Sequence, residues 1–228
     1  MRKKAVCLLS GGIDSCVSAC IAKKQGYELY ALSFDYRQRH IKEIDSAKKI
    51  ALALSVKNHI IFNLDLDKFG NSSITDLTLI PEKDHDLNDI GKTIPSTYVP
   101  ARNTIFLSIG LAYAESIDAD AIFIGVTSTD YSGYPDCRPE FIDIFQKLAD
   151  LATKKGVKGK KILIKAPLLK LSKSEIIKKG MGIGAPLEKT WSCYFGKDLA
   201  CGRCDSCLLR LKGFKDLGIT DPLKYESK

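Results

Sequence analysis

Residues 5–25 leave the chain little freedom in how it begins. The run Ala5-Val6-Cys7-Leu8-Leu9 is apolar throughout and reads as a buried parallel strand. Ser10-Gly11-Gly12 reads as a turn, and Ile13, Cys16, Val17, Cys20 and Ile21 then recur at helical spacing, with Lys23 and Lys24 near the end and Gly26 placed to stop the helix. A strand, a glycine turn and a helix in direct succession set backbone N–H groups around one concavity at a helix N-terminus, because glycine adopts angles that other residues avoid. Such a concavity cradles phosphate. Ser10 and Ser15 add hydroxyl donors, whereas Asp14 is an acceptor, useful beside an anion only if it orients the loop or meets a magnesium ion. The Walker loop is excluded, since its glycines stand further apart and no lysine follows Gly12. Cys16 and Cys20, an i, i+4 pair, read as small apolar residues against the sheet.

The alternation continues down the chain. Residues 27–34 read as a second strand, Ile41, Ile44, Ala47, Ala51 and Leu54 as an amphipathic helix, and His59 to Leu64 as a third strand. Ala121 to Gly125 and Lys161 to Lys165 give the fourth and fifth, with helices marked by Ile105, Phe106, Ile109, Ala112 and Tyr113 and by Phe141, Ile144, Phe145, Leu148 and Leu151. Ser172-Lys173-Ser174-Glu175 is a capping box that opens another helix. This order predicts an α/β fold, a doubly wound, mainly parallel five-stranded sheet with helices on both faces. Residues 65–96 break the rhythm with acidic, asparagine, serine and glycine residues, and predict either a mobile lid or a partly disordered insertion. Their carboxylates lack the calcium-loop spacing and read as a solvated face.

Three polar clusters fall where an open parallel sheet binds its ligands, beyond the carboxyl ends of the strands. Tyr36-Arg37-Gln38-Arg39-His40 follows the second strand, within reach of an adenine or ribose on the first loop. Arg102 and Asn103 stand at a helix start set by Pro100, where a positive charge opposes the helix dipole unless an anion offsets it, so Arg102 is a phosphate or carboxylate candidate. The loop from Val126 to Arg138, with Tyr131, Tyr134, Asp136 and Arg138, carries the stacking faces and polar groups that a flat heterocycle needs.

Near the end, Cys193, Cys201, Cys204 and Cys207 are spaced C-x7-C-x2-C-x2-C. The short spacings close tight thiolate turns, and a tetrahedral four-cysteine zinc site follows easily; an iron–sulfur cluster is the rival. With no open position, such a zinc is structural. The expected division is an α/β domain over 1–185, with 65–96 as the insertion, and a zinc-binding helical tail over 186–228. The totals are ordinary for a soluble globular protein: 228 residues, 45% hydrophobic and 27% charged, with no apolar run able to span a bilayer and no leader, which predicts a cytoplasmic protein. Eight cysteines without a leader point to thiols or metal ligands rather than disulfides. The net charge of +8 is compatible with anionic ligands. Ten lysines against the single acid Glu175 between Lys154 and Lys179 read mostly as solvated faces.

The Ser10–Ser15 stretch matches the Ser-Gly-Gly-x-Asp-Ser signature of the PP-loop ATP pyrophosphatases. Together with Tyr36 to His40, Pro95 to Asn103, Ser132 to Arg138 and the four cysteines, it makes nearly the whole chain resemble the 7-cyano-7-deazaguanine synthase family of queuosine biosynthesis. Ala101 stands where glycine is expected in some relatives. The resemblance implies an adenine nucleotide α-hydrolase-like fold and a carbon–nitrogen ligase that converts 7-carboxy-7-deazaguanine and ammonia to the nitrile through adenylated acid and amide intermediates, releasing AMP and pyrophosphate. It implies that Leu8, Leu9, Ser10, Gly11, Gly12, Ile13, Asp14, Ser15, Cys16, Val17 and Ser18 bind ATP with Mg²⁺. Asp14, Lys173 and Arg102 are its catalytic residues, and Tyr36, Arg39, Arg102, Tyr134, Asp136 and Arg138 meet the substrate. Zn²⁺ sits on the four cysteines and ammonia enters from solution. Neither membrane nor nucleic acid is an expected partner, and a homodimer is compatible. Two other readings stand beside it: a transfer-RNA-modifying enzyme of thiolase type on the same loop, to which Cys137 and Cys7 would point, and a non-catalytic zinc-bearing nucleic-acid-binding module, whose signature is steep salt dependence without ATP turnover.

Overall fold

The computed structural model describes residues 2–38, 42–76, 78–81, 86–87, 90, 93–127, 133–195 and 198–227. Its strands β1 (Lys4–Leu8), β2 (Glu28–Asp35), β3 (Asn58–Asn63), β4 (Ala121–Phe123) and β5 (Leu163–Lys165) form one sheet in the order β3-β2-β1-β4-β5. Every pairing is parallel. The expected doubly wound sheet is therefore present, and it is wholly rather than mainly parallel. The helices are α1 (Ile13–Lys24), α2 (Lys42–Ala53), α3 (Arg102–Ser116), α4 (Pro139–Ala152), the single turn α5 (Lys154–Val157), α6 (Lys173–Gly182) and α7 (Asp205–Asp216).

Because helices cover both faces, β1 has no polar side. Ala5, Cys7 and Leu9 enter one core with α1, α2, α6 and Phe214 of α7, and Val6 and Leu8 enter a second core with α3 and α4. Cys16 and Cys20 are buried in the first of these cores, as their helical spacing suggested. From β1 the chain winds outward to β2 and β3, then crosses to β4 on the opposite side of β1. The winding thus reverses between β1 and β4, and the crevice beyond their carboxyl ends is where such sheets take ligands.

Local chemistry sets the helix starts. Ser172 caps α6 by accepting from the Glu175 N–H at 3.4 Å, and its own N–H donates to the Glu175 carboxylate at 2.8 Å, the reciprocal box read from the sequence. At the start of α3, Ala101 is left-handed with φ 52°, a conformation that costs an L-residue roughly 1–2 kcal/mol. A glycine, expected there in some relatives, adopts this conformation without that cost. The acidic stretch 65–96 lies partly outside the described residues. Within it, Ser73 N–H donates to Ser96 O at 2.8 Å, and Asp65 and Asp67 pair with Arg37 at 3.0 and 3.1 Å.

Beyond residue 186 regular structure is sparse among the described residues, limited to a 3-10 turn at Leu187–Lys189, α7 and isolated bridge residues, of which Ala200 pairs with Tyr225. This tail folds back over the start of the chain. The Trp191 N–H donates to Gly11 O at 2.9 Å.

Candidate active site

The loop after β1 is shaped by backbone contact. Gly11 has φ +95°, and a Cβ there would lie 2.2 Å from the backbone oxygen of Glu43 in α2, so no other residue fits. Gly125, after β4, also approaches closely: its missing Cβ would stand 2.7 Å from the Ser15 nitrogen. Ser10 Oγ donates to Ser15 Oγ at 3.0 Å, and Ser15 Oγ donates to Gly12 O at 3.0 Å, which locks the turn onto itself. Gly12 is the N-cap of α1 and no side chain caps it, so the first N–H groups of α1 are left for a ligand. Lys173 at the start of α6 reaches back to this loop, its Nζ 2.7 Å from both carboxylate oxygens of Asp14. Two residues separated by most of the chain thus meet in one partly buried ion pair.

The loop forms one wall of a cavity of about 260 Å³. Leu8, Leu9, Ser10, Gly12, Ile13, Asp14 and Ser15 line it, whereas Cys16, Val17 and Ser18 lie deeper, buried along α1, with Ser18 Oγ donating to Ile124 O at 3.3 Å. Phe34 and Phe106, stacked with centroids 3.8 Å apart, form an apolar side beside Tyr36. Arg102 projects into the same space, its Nη1 donating to the Tyr36 hydroxyl at 3.3 Å. Burial raises the Tyr36 hydroxyl above its ordinary range against the pull of Arg102. Burial also pushes the Glu43 carboxyl up to about 7, again opposed by Arg102, with a smaller push from Cys193.

The remaining predicted substrate residues divide. Tyr134 lines the cavity and shares a hydrogen bond of 3.1 Å with Thr97 Oγ1. Asp136 is buried and its carboxylate accepts from the Asn103 N–H at 2.8 Å, so it caps α3, while Asn103 Nδ2 donates to Cys137 Sγ at 3.0 Å. Arg138 is the N-cap residue of α4, and neither it nor Asp136 is among the described lining residues. Arg39 lies outside the described residues.

The tail supplies a wall that sequence reasoning only anticipated in outline. Trp191, Ser192, Tyr194, Ser206, Leu209 and Arg210 all line the cavity. Arg210 is 1% exposed; its Nε and Nη2 donate to Asp221 at 2.7 and 2.8 Å, and its Nη1 donates to Thr190 Oγ1 at 2.8 Å. Tyr225 completes the group by donating to Asp221 at 2.6 Å. Neither Arg210 nor Glu43 stood out in the sequence, because each sits in an ordinary amphipathic helix and its burial is a tertiary property.

Behind this wall Cys193, Cys201, Cys204 and Cys207 are all buried, with their sulfurs within 4.8 Å of one another. Zinc–thiolate bonds of about 2.3 Å demand tetrahedron edges of about 3.8 Å, and Cys201 and Cys207 stand 4.0 Å apart. Backbone N–H groups of Phe195 and Cys201 point at Cys193 Sγ at 3.4 and 3.3 Å, and those of Arg203 and Cys204 at Cys201 Sγ at 3.4 and 3.3 Å. Donors aimed at sulfur stabilise thiolates, so the donor set fits a soft tetrahedral metal ion.

The family model described as queuosine biosynthesis protein QueC matches residues 4–218. The chain belongs to that family. Its relatives are similar end to end. The 7-cyano-7-deazaguanine synthase of Trichodesmium erythraeum is 54% identical over 220 residues, 96% of this chain and 99% of that one. The synthases of the same name from Citrifermentans bemidjiense and Desulfitobacterium hafniense are 52% and 54% identical, covering 99% and 98% of this chain and 99% and 93% of their own. The QueC family is thus an enzyme family by the names of its curated members. Among solved structures, that of NMN synthetase from Francisella tularensis shares the fold at a TM-score of 0.50 with 17% identity, over 96% of this chain and 74% of that one. No helix among the described residues is long and apolar enough to cross a membrane.

Proposed function

We propose that the chain is an ATP-dependent carbon–nitrogen ligase that converts 7-carboxy-7-deazaguanine and ammonia to 7-cyano-7-deazaguanine, releasing AMP and pyrophosphate. The observation that carries this reading is the placement of the Ser10–Ser15 loop in the wall of a cavity at the winding reversal, in a chain of the QueC family. The backbone N–H groups at Gly12 and the start of α1 receive the β,γ-pyrophosphate, leaving the α-phosphate toward the cavity. Asp14 is the residue to hold Mg²⁺, which supplies charge neutralisation, and Lys173, already carried to the loop on Asp14, offsets the leaving pyrophosphate. The stacked Phe34–Phe106 side accepts a flat base, and Tyr134 and Arg102 meet the deazaguanine acid.

The substrate carboxylate attacks the α-phosphorus to give an acyl adenylate and pyrophosphate. Ammonia then displaces AMP to give the amide. Adenylation of the amide oxygen by a second ATP and loss of AMP yield the nitrile. The protein's part in each step is positioning and charge stabilisation. The four cysteines hold Zn²⁺ as a structural ion, since four thiolates leave no open position.

Purified protein of known metal content, given ATP, Mg²⁺, ammonium and 7-carboxy-7-deazaguanine, is expected to form the nitrile with AMP and pyrophosphate, and Asp14→Ala to lose both. AMP formed only with another acceptor would overturn the substrate assignment. No AMP with any acceptor would overturn the ligase reading itself.

A further inference from the structure

At neutral pH ammonia is mostly ammonium, which has no lone pair with which to attack an acyl adenylate. A ligase fed from solution therefore needs a group in its cavity that binds the cation and takes its proton. Two carboxylates line the cavity among the described residues, Asp14 and Glu43. Asp14 is held by Lys173 at 2.7 Å through both oxygens. The carboxylate of Glu43, in the first turn of α2, accepts no hydrogen bond from a described residue. Its place is nonetheless rigid, because its backbone oxygen fills the space that a side chain at Gly11 would need, and Gly11 is tied in turn to Trp191.

We propose that Glu43 is the ammonium site of this enzyme: its carboxylate binds the ammonium ion in the cavity and accepts the proton whose loss frees the nitrogen lone pair for attack on the adenylated acid. This rests on the ligase reading above. The surroundings sort the charges. Arg102 also lines the cavity, from α3, and gives the anionic acid a cationic partner of its own. The titratable groups that face Glu43 are Arg102 from α3, Tyr36 from the segment after β2 and Cys193 from the tail. Beside it on α2, Lys42 is turned away over the Trp191 ring at 4.9 Å and toward Asp198 at 3.2 Å.

The step balances as follows. One N–H bond of ammonium breaks and its proton goes to Glu43. The nitrogen lone pair forms the C–N bond, the C–O bond to AMP breaks, and its electron pair leaves on the AMP phosphate. A second N–H proton departs to the released phosphate or to water, leaving the neutral amide.

The test uses the full-length, metal-loaded protein and two nucleophiles, ammonium and hydroxylamine, the second being largely unprotonated at neutral pH. Glu43→Gln is expected to lower kcat/KM for ammonium at pH 7 by about 10²–10⁴-fold. The deficit should shrink as pH rises and free ammonia becomes abundant. Hydroxamate formation and acid-dependent ATP–pyrophosphate exchange should fall far less, and Glu43→Asp should lie between. Equal losses for both nucleophiles and for exchange would assign Glu43 a structural role and overturn the proposal, as would an unchanged ammonium dependence. Absence of acid-dependent exchange and of hydroxamate in the unsubstituted protein would instead show that the ligase reading had failed, and the ammonium site with it.

Discussion

The Ser10–Ser15 loop and the cysteine tail touch at Gly11 and Trp191, yet they are held in place by different physics. The loop is gripped by the fold: strands β1 and β4 flank it, the Glu43 backbone and Gly125 press against it, and its hydroxyls bond to one another. Among the described residues the tail has one helix besides short turns and isolated bridge residues, and in its small core four of the six buried hydrophobic residues are cysteines. A cluster of that size buries little apolar area, although Phe214 of α7 adds to it from the main core. A metal ion can, and a structural zinc site contributes about 10–16 kcal/mol to holding its ligands together. On the proposed function, the phosphate cradle is inherited from the sheet, while a metal on the four cysteines is a separate, chemically removable source of order for the wall that closes the cavity.

The sharpest way to break that contrast is to remove the metal. Cys204→Ser or strong chelation is expected to release zinc, expose the tail beyond residue 186 to protease and abolish nitrile formation, while circular dichroism retains the α/β signal. Survival of activity with the tail still protected would show that the metal is not what orders it. Next in size is the second tail anchor. Asp221→Ala leaves Arg210 charged, buried and without its bidentate partner, and should lower unfolding stability by about 3–5 kcal/mol, read from the urea midpoint. Lys173→Ala addresses the loop instead. It should lower kcat by about 10²–10³-fold, the range for losing a group that stabilises developing charge, with zinc content unchanged.

Two smaller effects sharpen the picture of the fold-held side. The Glu43 carboxyl lies above its ordinary value of 4.5, at about 7, so the folded protein binds this proton more tightly than the unfolded chain. The contribution of Glu43 is therefore full below 4.5 and is lost as pH rises toward 7, and Glu43→Gln should flatten that limb of the stability profile. A limb identical in the variant would show that Glu43 is well solvated. Last, Ala101→Gly relieves a left-handed residue at the start of α3 but adds freedom to the unfolded chain. The net gain in stability is expected to stay below about 1 kcal/mol, measured by thermal unfolding.

Much of this molecule was legible in one dimension. The strand–turn–helix start, the five strands, the capping box at Ser172 and the set of four cysteines depend on apolar periodicity and short spacings, which are local properties and survive in a sequence read alone. Lys173 was found only through family resemblance, since nothing in a lysine-rich stretch shows which ammonium will cross to Asp14. Asp136 illustrates the limit from the other side: its loop composition carries no sign that its carboxylate accepts from the Asn103 N–H at the start of α3. Glu43 and Arg210 carried no sequence signal at all.

The sequence by itself determined the architecture and the two chemistries, a phosphate cradle and a thiolate cluster, because glycine geometry and ligand spacing are written in neighbouring residues. Only the tertiary structure decided that the segment carrying the cysteines walls the cavity of the loop, that Trp191 ties the tail to Gly11, and that the Glu43 and Arg102 side chains line the same space. Burial and through-space charge depend on which distant segments the winding of the sheet brings together.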